Sequence, residues 1–102
     1  MKLMKDQVAV ITGGASGIGF GLAEEFAARG LKVMLSDVRA DEVRAAAATL
    51  RSKGATCVAE VTDVSDPDQV DALAAATLKV FGRADIMCNN AGIVCKMAPM
   101  WE

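Results

Sequence analysis

Apolar residues in this chain fall into short unbroken blocks separated by stripes at helical spacing. Gln7 to Ile11 is one such block and runs into the glycine-rich stretch Thr12 to Gly19, which predicts a buried strand followed by a loop. Ile18, Leu22 and Phe26 then recur at i, i+4 and i+8, with Glu24 and Glu25 on other faces and Gly30 as a stop, the pattern of an amphipathic helix. Lys32 to Ser36 predicts a second strand. Asp41 to Lys53 is alanine-rich, carries Val43, Ala47 and Leu50 on one stripe, and is closed by Gly54, which predicts a second helix.

Thr56 to Val61 predicts a third strand. Ser65-Asp66-Pro67-Asp68 is a helix-start signal: a capping side chain, a proline in the first turn, and acids near the positive end of the dipole. Val70, Leu73, Thr77 and Phe81 are the inward positions of that third helix, which Gly82 ends. Ala84 to Cys88 predicts a fourth strand, followed by Asn89-Asn90-Ala91-Gly92 and a loosely patterned tail. Alternating strands and helices at this spacing imply an α/β fold with a parallel sheet and crossover helices. Right-handed connections put the first two helices on one face and the third on the other, with strand order 3-2-1-4. This is part of a Rossmann-like doubly wound sheet, whose ligand belongs at the carboxyl ends of strands 1 and 4.

Composition narrows the function classes. Hydrophobic residues make up 53% and charged residues 24%, a globular balance, and residues 1–102 read as one unit. With 11 Lys plus Arg against 13 Asp plus Glu, the net charge of −2 argues against nucleic acid or anionic lipid as a partner. There is no histidine, which removes histidine-based catalysis and histidine-ligated metal. Cys57, Cys88 and Cys95 form no C-x-x-C pair and read as small buried residues or free thiols rather than metal ligands. No run is long enough to span a bilayer, and the opening Met1 to Asp6 has no apolar core of a signal, so a cytoplasmic chain is expected.

The chemistry concentrates at the predicted strand ends. In Thr12 to Gly19, backbone N–H groups at a helix start form an anion site. Gly13 turns the chain off the strand, Gly17 leaves room for a pyrophosphate, and Gly19 allows close helix–strand packing. Asp37 follows the second strand, at the place where a carboxylate accepts both hydroxyls of an adenosine ribose, each bond to a charged group being worth about 1.5–3 kcal/mol. Capping of the next helix is its alternative role. Arg39, two residues on, could bend back to a 2′-phosphate or lie solvated over the adenine. Asp63, with Val64, could receive an adenine amino group or close an Asx turn. Asn89 and Asn90 could satisfy backbone groups of neighbouring strands, while Ala91 and Gly92 are small enough to admit a ribose. Met87, Met97 and Met100 read as filler.

T-G-G-A-S-G-I-G, Asp37, Asp63-Val64 and N-N-A-G, in this order and spacing, resemble the short-chain dehydrogenase/reductase family. The resemblance implies that Gly13, Ser16, Gly17, Ile18 and Gly19 hold the cofactor pyrophosphate, Asp37 the ribose, Asp63 and Val64 the adenine, and Asn90, Ala91 and Gly92 the strand-4 contacts. Members that prefer NADP place a basic residue at the positions of Ser16 or Val38, so the resemblance implies NAD over NADP. It also implies an NAD(P)-dependent oxidoreductase acting on an alcohol or carbonyl substrate, homo-oligomeric in its complete form.

The family's upstream Ser and Tyr-x-x-x-Lys pair are missing; the sequence contains no tyrosine. No catalytic residue is therefore assigned, and dinucleotide binding without turnover is the expectation for this chain. It is expected to be a truncated N-terminal portion of such an enzyme, with a free-standing nucleotide-binding module or one half of a split enzyme as the alternative. The unpatterned tail from Ile93 to Glu102 favours truncation. On that view the fourth strand is an open edge that invites association.

Overall fold

The computed structural model describes residues 5–15, 17–90 and the backbone of 94–97. β1 (Val8–Thr12) is buried at every position, because it lies at the centre of the sheet with both faces covered. It pairs in parallel with β2 (Lys32–Asp37) on one side and β4 (Ile86–Asn89) on the other, and β2 pairs in parallel with β3 (Cys57–Val61). The order 3-2-1-4 is the one the alternating pattern implies.

Successive residues of a strand point to opposite faces, and the two cores divide accordingly. Ala9, Ile11, Val33, Leu35 and Ile86 pack with Ala23 and Phe26 of α1 (Gly17–Ala28) and with Val43, Ala47 and Leu50 of α2 (Ala40–Ser52). Val10 and Met34 face the other way, onto Leu73 of α3 (Pro67–Phe81). The start of α3 is built as its sequence signals. Asp66 accepts the Asp68 N–H at 3.0 Å, Pro67 occupies the first turn, and Gly82 closes the helix at φ 77° with its N–H on the Leu78 carbonyl.

Four expectations are corrected. Ile18 is not an inward residue: it is 56% exposed, and the inward positions of α1 are Gly19, Ala23 and Phe26. With glycine and alanine on that stripe the helix comes close to the sheet, and Ile18, in the first turn, is left exposed. Val70 and Phe81 are only half-buried, since among the described residues α3 is the one helix on that face. The β4 edge is not open either. β5 (Val94–Met97) runs antiparallel to it, in register from Ile86 opposite Met97 to Asn89 opposite Val94. An antiparallel partner can follow at once along the chain, whereas a parallel one needs a crossover of about a dozen residues. That pairing also changes the cysteine picture. Cys57 is a buried free thiol as expected, its pKa pushed up to about 11 by burial, but Cys88 is disulfide-bonded, with Cys95 opposite it in the register.

Candidate dinucleotide site

The carboxyl ends of β1, β2 and β4 meet at the glycine-rich loop. Gly14 N–H donates to the Ser36 carbonyl at 2.9 Å, extending the β1–β2 pairing into the loop. On the other side, Asn90 Nδ2 donates to the Gly13 carbonyl at 3.2 Å, and Thr12 Oγ1 lies 3.4 Å from the Cys88 carbonyl and from Asn89 Oδ1. Asn90, just after β4, therefore fastens the loop to its neighbouring strand, and Asn89, the last residue of β4, meets the end of β1, one of the two roles their position allowed.

Two glycines are required by the geometry. A Cβ on Gly19 would lie 2.2 Å from the Gly13 carbonyl oxygen, a distance no side chain tolerates, so the first turn of α1 rests directly on the loop. Gly17 adopts φ +61°, in the left-handed region that favours glycine, and its missing Cβ faces open space. The first turn of α1 carries no acidic residue of its own. Open space beside a helix start suits an anion.

Asp37 closes the site from β2. It is 5% exposed, and four donors reach its carboxylate. Oδ1 accepts the Arg39 N–H at 3.0 Å and Arg39 Nε at 3.2 Å; Oδ2 accepts the Ala15 N–H at 3.1 Å and Arg39 Nη2 at 3.2 Å. Burial pushes the carboxyl's pKa up, but the hydrogen bonds from Arg39 and Ala15 and the arginine's charge outweigh it and hold the pKa below the usual value. Asp37 does not cap α2, whose N-cap is Arg39, without a side-chain cap bond. The Ala15 contact was beyond sequence reading, because a backbone donor leaves no mark in residue type.

Asp63 Oδ1 accepts the Ser65 N–H at 2.9 Å and Ser65 Oγ at 2.6 Å, the Asx-turn arrangement, and these bonds lower its pKa. Val64 and Val38 are exposed, 45% and 61%, as is Ile18. Ser16, Ala91 and Gly92 lie outside the described residues. Asp85 is a further carboxylate with a task, not singled out by the sequence: it accepts the Val8 N–H at 2.8 Å and pairs with Arg83, anchoring the start of β1. A separate cavity of about 560 Å³ between α1 and α2 is bounded by Gly21, Glu24 and Lys53, away from the strand ends. Among the described residues no cluster of metal-ligating side chains occurs, and no helix is long and apolar enough to cross a membrane.

Comparison with known proteins agrees with this architecture. Residues 7–102 match the family model described as short chain dehydrogenase. A 1-deoxy-11-beta-hydroxypentalenate dehydrogenase of Streptomyces exfoliatus is 39% identical over 100 residues, 97% of this chain and 36% of that protein. A C alpha-dehydrogenase of a Sphingobium species is 41% identical over 98% of this chain and 33% of its own length. Among solved structures, a short chain dehydrogenase/reductase from Burkholderia phymatum in complex with NAD superposes with a TM-score of 0.83 at 41% identity, covering 85% of this chain and 31% of that one. The chain therefore spans about a third of the length of these relatives. With the family model matched over residues 7–102 and relatives about 40% identical across nearly the whole chain, the chain belongs to the short-chain dehydrogenase/reductase family.

Proposed function

We propose that this chain is the adenosine-binding part of an oxidoreductase that moves a hydride between NAD and an alcohol or carbonyl compound. The observation that carries the proposal is Asp37, a buried carboxylate bonded to the Ala15 amide of the glycine loop at the carboxyl end of β2. A charge held there matches a ribose diol and repels a 2′-phosphate, which favours NAD over NADP. Gly13, Gly17, Ile18 and Gly19, with Ser16, would hold the pyrophosphate, Asp63 and Val64 the adenine, and Asn90 to Gly92 the rest of the dinucleotide. The cofactor would accept or deliver the hydride. On its own this chain would bind without turnover, because the family's proton-transferring tyrosine has no counterpart in a sequence without tyrosine. We place the protein in the cytoplasm, where nicotinamide dinucleotides are at hand, and expect the complete enzyme to be a homo-oligomer.

Calorimetric titration with NAD and NADP tests the reading. Saturable NAD binding, weaker for NADP, is expected. Gly17→Val should abolish it, since the new methyl groups enter the open space beside the loop amides and the backbone is strained. Gly21→Ala, on the same helix with nothing near its Cβ, should bind as the wild type does. NADP binding tighter than NAD would overturn the ribose assignment, and unchanged affinity in Gly17→Val would overturn the phosphate loop.

A further inference from the structure

Resting on the dinucleotide reading above, we infer that Arg39 is a specificity-determining residue and acts as a built-in competitor for the Asp37 carboxylate. An ionised carboxylate offers about four lone-pair positions, and four donors already reach Asp37, two on each oxygen. With all of them in place, a ribose diol finds no acceptor there. Two of the four are fixed. The Ala15 amide belongs to a loop tied to β2 through Gly14 N–H and the Ser36 carbonyl, and the Arg39 amide belongs to the start of α2, where Val43 N–H bonds the Arg39 carbonyl.

The other two donors can leave. Nε and Nη2 sit on a side chain 47% exposed, which can swing out on its own torsions without moving the backbone. A guanidinium presents two parallel donors, and a vicinal diol presents two hydroxyl donors, so the exchange at Asp37 is two for two. The arginine acts in opposite directions on the two kinds of adenosine ligand. A free 2′-hydroxyl must displace it, whereas a 2′-phosphate gains from its charge, which offsets the carboxylate.

Binding of ADP-ribose and of 2′-phospho-ADP-ribose to the wild-type chain, Arg39→Ala and Arg39→Gln measures this directly, with circular dichroism to show that the variants are folded. Arg39→Ala should bind ADP-ribose about two- to fivefold tighter, the scale of a half-exposed ion pair, and 2′-phospho-ADP-ribose more weakly. Arg39→Gln, which keeps the stem and loses the charge, should move both affinities the same way. In an Asp37→Asn background the gain for ADP-ribose should disappear. Weaker or unchanged ADP-ribose binding in Arg39→Ala overturns the competitor role, as does a gain that persists without the Asp37 charge. If the wild type binds neither ligand at millimolar concentration, the dinucleotide reading itself falls, and the inference with it.

Discussion

At the residue scale, the site depends on positions where one atom more or less decides the outcome. Gly19 is fixed by the Gly13 carbonyl, 2.2 Å from where its Cβ would be. Asp37 is fixed by two backbone amides, one from the loop and one from its own turn. Replacing Asp37 with Ala should weaken NAD about 10- to 150-fold, if bonds to that carboxylate contribute about 1.5–3 kcal/mol. Titration of the variant against NAD checks this, and a change below threefold would place the ribose elsewhere. The residue types at these positions were legible, since glycine and aspartate at strand ends have few other uses. The Ala15 donor and the Asp37–Arg39 pairing were not: one is a backbone group, and the other is a choice among rotamers made by the local packing.

At the element scale, strands and helices follow the chain's own periodicity. Among the described residues, three helices form where apolar stripes, a capping Asp and terminating glycines direct them. Asp66 is the clearest case, because its carboxylate satisfies the otherwise unpaired Asp68 N–H. Asp66→Ala should cost about 1 kcal/mol, a fall of about 4–8 °C in the melting temperature for a domain this small. Thermal unfolding followed at 222 nm reads it. β5 was not legible: Val94 to Met97 carries too short a pattern to declare itself, and it becomes a strand by pairing with the backbone groups that β4 presents. Ile18 was misplaced for a related reason. Periodicity gives the spacing of a stripe, but the small residues at 19 and 23 decided which stripe faces the sheet.

At the scale of the molecule, three acids couple the fold to pH, Asp63 through its Ser65 bonds and two more through arginines. Asp37 and Asp85 both have pKa values below the usual carboxylate range, despite the opposing effect of burial, because arginine and backbone donors favour their charged forms. A carboxyl whose folded pKa is depressed contributes stability above its unfolded pKa and loses it as pH falls through the folded value. Stability should therefore be level near neutrality and decline below about pH 4. Asp85→Asn should flatten that decline, and urea midpoints measured across the range would show it. The sequence by itself determined the order of elements from β1 to β4, the division of the sheet into two faces and the residue types that stand at the strand ends, because periodicity and glycine placement are local properties. Tertiary structure alone decided that Asp37 meets the loop through Ala15, that Arg39 fills the remaining acceptor positions, and that β4 is covered. Each of those depends on groups brought together across the sheet or around a turn, whose distances no spacing along the chain encodes.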